Sequence, residues 1–203
     1  MRITKIEPQK KRKDRYNIYI DDEFYFGLDE NVVLKFGLRE KDEIDKELIE
    51  RIEGEEVVAK AYNATVNFLK TRERSKKEIS DKLKTKEYSL SVIKKILAKL
   101  ENLDLVNDKR FAQMFVRDRI KLKPKGKRVL RLELKQKGID GDIIEKVLED
   151  ILDKKKESEL VEKVFKKIES RYSNLPPAEQ KQKIIKYLLG KGFEWNIIER
   201  VVD

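Results

Sequence analysis

The sequence predicts a mainly α-helical protein: tandem three-helix repeats forming a curved, elongated array, preceded by a small β-hairpin and helix module. Three observations carry this. Apolar residues alternating with period two are confined to the first 54 residues. Helical periodicity takes over from Val57. A doublet of apolar pairs then recurs at intervals of 51 and 54 residues. The expected divisions are 1–54 for the N-terminal module and 55–107, 108–153 and 154–203 for three repeats.

In the N-terminal module, Tyr16, Ile18 and Ile20 alternate with polar partners, Asp21-Asp22 supplies a turn, and Phe24-Tyr25-Phe26 resumes the pattern. This is a hairpin signature, and Ile3 and Ile6 add a short third strand. The run Lys10, Lys11, Arg12, Lys13 and Arg15 decorates a hairpin loop and keeps a strand edge soluble. So small a sheet is marginal alone and must lean on a helix. Asp29 caps a short helix carrying Val32, Val33 and Phe36, with Gly37 as its stop. Asp45 opens another with Leu48, Ile49 and Ile52 on one face, which Gly54 is expected to weaken or kink.

The repeated doublet reads Val92-Ile93 with Ile96-Leu97, then Ile143-Ile144 with Val147-Leu148, then Ile197-Ile198 with Val201-Val202. Leu83, Leu134 and Leu188 keep the same offsets, as do Lys86, Lys137 and Lys191. Gly138 and Gly192 also match, with Glu87 at the equivalent place in the first copy. Each copy reads as three helices. In the first, Val57, Ala61, Ala64, Thr65 and Phe68 form one stripe, Ser75 and Glu78 form a capping box, and Ser89 caps the third helix. In the second, Asn107 or Asp108 caps the Phe111/Phe115 helix, Pro124 and Gly126 mark the break, Gly138 ends helix two and Asp140 caps helix three. The third carries Leu160, Val161, Val164, Phe165 and Ile168, then a longer break at Ser173–Pro177. One supersecondary unit per period of about 50 residues is the mark of a helical array whose neighbours share their cores.

The 203 residues include 49 Lys and Arg against 39 Asp and Glu, a net charge of +10, and 43% are charged. There is no His and no Cys. That excludes a Ser-His-Asp triad, a Cys nucleophile, a thiolate or imidazole zinc site and a disulfide. The glycines are scattered and form no phosphate loop. Asp21-Asp22-Glu23 could chelate magnesium, but turn chemistry explains it. No apolar run approaches the ~20 residues that span a bilayer, and the start lacks a signal peptide's apolar stretch. The expectation is a soluble, cytoplasmic monomer without catalytic residues, metal or cofactor.

Charge locates the candidate site. Residues 1–54 carry net −2, whereas each repeat carries +4. Residues 117–137 hold ten basic and two acidic residues, +8 where the chain average gives about +1. A smaller cluster occupies the equivalent break of the first repeat. Cations presented by helix starts and loops on one edge suit phosphates or an acidic protein surface, whereas in a bland reading they are solvated helix faces. The candidate binding residues are Lys70, Arg72, Arg74, Lys76 and Lys77, with Arg117, Lys121, Lys123, Lys125, Lys127, Arg128 and Arg131.

The second repeat also carries Leu105-Val106-Asn107-Asp108, Arg110-Phe111-Ala112, Val116, Arg119, Pro124, Gly126, Leu130, Glu133-Leu134 and Lys137-Gly138-Ile139. This resembles the central signature of RecX, a family of bacterial regulatory proteins. Ala61-Tyr62, Leu69, Arg72, Ser75, Glu78 and Leu83 in the first repeat support the likeness. So do Lys183-Ile184, Leu188 and Lys191-Gly192-Phe193 in the third. Asn107 and Asp108 depart from a commoner acidic pair, and Glu87 replaces a glycine, which is expected to change how helix two ends there. The resemblance implies a non-enzymatic array lying in the helical groove of the RecA–single-stranded DNA filament and bridging RecA subunits. It would restrain filament growth, ATP hydrolysis, strand exchange and the co-protease activity behind SOS induction. Partners implied are the RecA filament and single-stranded DNA, with double-stranded DNA as a further candidate. Two rivals stand beside it: a sequence-independent DNA clamp acting without RecA, and an α-helical scaffold.

Overall fold

A computed structural model describes residues 1–202. Three strands, β1 (Ile3–Pro8), β2 (Arg15–Ile20) and β3 (Glu23–Asp29), are followed by α1 (Glu30–Phe36), α2 (Lys46–Leu69), α3 (Lys76–Lys84) and α4 (Leu90–Asn102). Then come α5 (Asp108–Leu122), α6 (Lys127–Gln136), α7 (Gly141–Ile151), α8 (Lys154–Glu169), α9 (Pro177–Gly190) and α10 (Trp195–Val202), with a 3-10 turn at Ser170–Tyr172 after α8. Residue contacts divide the chain into two compact units. One comprises Met1–Arg72 with Ser80–Leu103; the other comprises Glu73–Ile79 with the chain from Asp104 onward, so the division runs through α3.

In the first unit the strands form an antiparallel sheet in the order β1-β2-β3. Ile20 pairs with Glu23 across a two-residue turn whose residues, Asp21 and Asp22, have φ of 48° and 68°. Short acidic side chains tolerate that left-handed backbone, which matches the twist of a hairpin. The sheet buries Ile3, Ile18, Ile20 and Leu28 against Val32, Leu38, Ile44, Ile49 and Ile52. Its attachment to α2 is ionic as well as apolar. Buried Arg15 donates to Glu56 Oε1 at 2.6 Å and to the Gly27 carbonyl at 2.7 Å, and Glu56 Oε2 accepts the Asp29 amide at 2.7 Å. Asp29 in turn caps α1 through the Asn31 amide.

Two expectations fail in this unit. Helix α2 runs through Gly54 without interruption for 24 residues. A single glycine costs a helix only about 1 kcal/mol against alanine, less than the packing of Ile49, Ile52, Ala61 and Thr65 on one face returns. Glu87 does not change the end of helix two either. It adopts φ of 61°, as Gly138 and Gly192 do at 75° and 86°. The Tyr88 amide then reaches back to the Leu83 carbonyl at 3.2 Å, as Ile139 does to Leu134 and Phe193 to Leu188.

The second unit holds one continuous core. Phe111, Ala112 and Val116 of α5, Leu130 and Leu134 of α6, and Ile144, Val147 and Leu148 of α7 join the apolar faces of α8, α9 and α10. Within it α7 packs on α5 and α6, while α8, α9 and α10 pack on one another. Asn107 caps α5 and Asp140 caps α7 as expected, and Asp153, which the sequence did not single out, caps α8; each accepts an amide of the first turn. The 3-10 turn immediately precedes the longer third break, which ends at Pro176-Pro177, with proline in the first turn of α9. The array is therefore mainly helical, with three-helix repeats following a small sheet module.

Candidate functional site

The basic segment 117–137 lies entirely in the second unit, and much of it builds a joint between successive repeats. The same joint occurs twice. At the start of α3, Ser75 Oγ donates to the Lys137 carbonyl at 2.7 Å, and the Lys76 amide donates to Asp108 Oδ1 at 2.9 Å. At the start of α6, the Gly126 amide donates to the Lys191 carbonyl at 3.0 Å, and the Lys127 amide donates to Glu157 Oε1 at 3.3 Å. The beginning of helix two in one repeat thus meets the end of helix two in the next, and a carboxylate from the next repeat's first helix caps it. Asp108 and Glu157 are buried, Glu157 completely. Their lysine partners Lys76 and Lys127 place Nζ 3.9 Å from the same carboxylates. Removal from water pushes the Glu157 carboxyl above its ordinary value, against the opposing pull of the Lys127 amide and ammonium.

Other cations are occupied too, some across these joints and some within the second repeat. An ideal Cβ on Gly138 would lie 2.6 Å from Lys77 Cβ, so the stem of Lys77 packs on that glycine. Lys137 Nζ lies 2.6 Å from Glu78 Oε1. Arg128 Nη2 donates to the Leu189 carbonyl at 2.7 Å, near the end of α9. Arg131 grips Glu145 through two bonds of 2.6 and 2.7 Å, which hold the Glu145 carboxyl below the usual carboxylate range. Lys125 and Arg119 share Glu133; burial works against that carboxylate's charge, but the two cations prevail and keep its pKa low. Arg74 is half-buried. Lys70 and Arg72 are exposed just beyond α2, in the first unit.

Three of the candidate residues are used differently. Arg117, Lys121 and Lys123 are exposed along and beyond the end of α5, and none has an acidic partner among the described residues. Lys121 and Lys123, with Lys125, border a cavity of about 460 Å³. Its apolar lining is Leu122, Pro124, Val164, Ile168 and Tyr187; its cations are completed by Lys163, Lys167, Arg171 and Lys191 from α8, the following turn and the end of α9. The sequence reading missed these last four. Each looks like an ordinary solvent-facing cation of its own helix, and only folding brings it beside residues 121–125.

The structure therefore defines a class: a tandem three-helix repeat protein whose excess positive charge is partly committed to repeat joints and partly left facing solvent. Four successive family profiles match the chain: the regulatory protein RecX N-terminal domain over residues 1–45, and the first, second and third RecX three-helix domains over 61–100, 107–148 and 156–202. The regulatory protein RecX of Leuconostoc mesenteroides is 38% identical over 100% of this chain and 75% of its own length. That of Bacillus subtilis is 37% identical over 99% of this chain and 76% of its own. Among solved structures, a crystal structure of a regulatory protein RecX superposes with a TM-score of 0.85 at 34% identity, covering 98% of both chains. RecX from Lactobacillus salivarius gives 0.66 at 36% identity, covering 72% of this chain and 94% of the other. This chain belongs to the RecX family of regulatory proteins. Among its described residues, no helix is long and apolar enough to cross a membrane.

Proposed function

We propose that the chain regulates a RecA recombinase by binding the RecA–single-stranded DNA filament in its helical groove, restraining ATP hydrolysis, strand exchange and co-protease activity. The observation that supports it is the division of labour among its cations. Six of the twelve candidate residues, Lys76, Lys77, Lys125, Lys127, Arg128 and Arg131, contact neighbouring elements within the second unit. The side chains of Arg117, Lys121 and Lys123 form no ion pair among the described residues and are available to an anionic partner. Unpaired cations on one edge attract phosphates or acidic side chains over a range set by salt. Repeats joined in series suit a polymer whose own subunits repeat.

The test is RecA ATPase on saturating single-stranded DNA. Replacing Arg117, Lys121 and Lys123 together by Ala should weaken inhibition at least tenfold and leave the melting temperature nearly unchanged, since exposed charges contribute little to stability. A matched variant lacking Lys154, Lys155 and Lys186, all exposed, removes equal charge elsewhere and should retain inhibition. Equal loss in both would make net charge the cause; retention in both would remove this edge from the contact.

A further inference from the structure

We propose that the cavity between the end of α5, α8 and the end of α9 holds one nucleotide of a single-stranded nucleic acid. The base lies on Leu122, Val164, Ile168 and Tyr187, and the flanking phosphates rest on the lysines of the rim. The inference deepens the reading above and rests on it only in sharing Lys121 and Lys123.

Charge is the first ground. Lys121, Lys123, Lys163, Lys167, Arg171 and Lys191 have no acidic partner among the described residues, and Lys125 alone is neutralised, by Glu133. Like charges gathered around an apolar concavity repel one another, and low-dielectric walls focus their field outward. Nothing in the fold gains from that arrangement. An anion does.

The second ground is the kind of anion. A ligand for seven cations around a bare depression could be an ion alone, but here the centre is aliphatic and aromatic. Leu122 is 72% exposed and so offers apolar surface to a ligand, and Tyr187 is half-buried with its ring 5.1 Å from Lys191 Nζ. A ligand that fits must be apolar and flat at its middle and negative at its edges. About 460 Å³ accommodates a base with its sugar and exceeds what a single peptide side chain fills.

The third ground separates nucleic acid from an acidic peptide. The lining contains no Asp, Glu, Asn, Gln, Ser or Thr. Its side chains donate hydrogen bonds, and apart from the Tyr187 hydroxyl none accepts one. A peptide brings an N–H at almost every residue, and each would be taken from water without a side-chain acceptor. A phosphodiester strand brings only acceptors along its backbone. Stacking on apolar and aromatic surface beside a cationic track is also how sequence-tolerant single-strand binding is built.

The experiment uses the full chain without RecA. Fluorescence anisotropy compares a labelled thymidine oligomer with an abasic strand of equal length and charge. Each stacked base strengthens binding, so the thymidine strand should bind about tenfold more tightly. Leu122→Ser and, separately, Tyr187→Ala should lower thymidine binding toward the abasic level while leaving abasic binding unchanged. Leu122→Ser keeps the test valid if Tyr187→Ala loses its fold by circular dichroism. Lys163→Gln with Lys167→Gln should weaken both strands alike. Equal binding of the two strands by the unaltered chain would overturn the proposal. So would displacement of the strand by a Phe- and Glu-rich peptide, or by free thymidine triphosphate at concentrations as low as those of the oligomer. RecA ATPase, measured apart, decides the regulatory reading independently.

Discussion

Replacing Gly126 by alanine should destabilise the second unit severely, although it adds one methyl group. Gly126 is buried, and an ideal Cβ there would lie 2.2 Å from the Gly192 carbonyl oxygen and 2.4 Å from the Phe193 amide nitrogen. Ordinary contact begins near 3.4 Å, so the two backbones must part by about 1 Å. The obstacle is backbone on both sides, with no flexible side chain to swing away. Parting would stretch the Gly126 amide bond to the Lys191 carbonyl, now 3.0 Å, and the Arg128 amide bond to the Gly192 carbonyl, now 3.2 Å. A buried polar group left without its partner costs ~1–3 kcal/mol, which gives a loss of about 3–5 kcal/mol for the joint. For a chain of this size that corresponds to a fall of roughly 10 °C in Tm. The single tryptophan, Trp195, stands on α10 of the same unit, so urea unfolding followed by its fluorescence reports the affected region. Gly54→Ala is the natural contrast: that glycine lies inside α2 with nothing within 4 Å of an ideal Cβ. There alanine should stabilise by about 1 kcal/mol. Should Gly126→Ala unfold at the same urea concentration as the unaltered chain, the close approach of the two repeats does not exist in solution.

Three more outcomes are expected. Glu87→Gly should stabilise by about 1 kcal/mol in urea titration, because φ of 61° strains an L-residue; destabilisation would mean that the glutamate side chain is needed there. Glu56→Ala should cost ~3–5 kcal/mol by stranding Arg15, whose side chain is only 10% exposed; a loss below ~1 kcal/mol would show that water reaches the pair. Glu157→Gln tests the buried cap by its pH dependence. Because the folded carboxyl titrates above its ordinary 4.5, the folded chain holds that proton more tightly than the unfolded chain. The contribution of Glu157 to stability therefore falls as pH rises from about 4.5 through the raised value. The glutamine chain, which has no such loss, should gain on the unaltered one across that window in urea midpoints, and a constant gap would refute the assignment.

Much of the fold was legible because local signals agree with one another. Asp29, Asp45, Ser89 and Asp140 each stand before an apolar stripe and each caps a helix, and the doublets at Ile93, Ile144 and Ile198 all reach the interior. Glu87 misled because sequence shows residue type, whereas the turn is imposed by the Leu83 carbonyl waiting for the Tyr88 amide. The charged site was only partly visible. Lys127, Arg128 and Arg131 look no different in sequence from Lys121 and Lys123, yet their partners, Glu157, the Leu189 carbonyl and Glu145, are supplied by other helices. Asp108 and Glu157 escaped notice as equivalents because they are 49 residues apart, a spacing different from the 51 and 54 of the doublets. Lys163, Lys167, Arg171 and Lys191 join residues 121–125 only through tertiary packing, which no periodicity along one helix records.

The joints also impose an order in time on the newborn chain. The carboxylate that completes the start of α3 lies 32 residues beyond the amide it caps, and the one that completes α6 lies 30 residues beyond. At synthesis rates of about 5–20 residues per second, each of these helix starts waits roughly two to six seconds for its cap to be made. Until then its first turn has only water for a partner at that amide. The first and second repeats are each finished by the repeat that follows, so on the ribosome each of them matures one repeat behind the growing end.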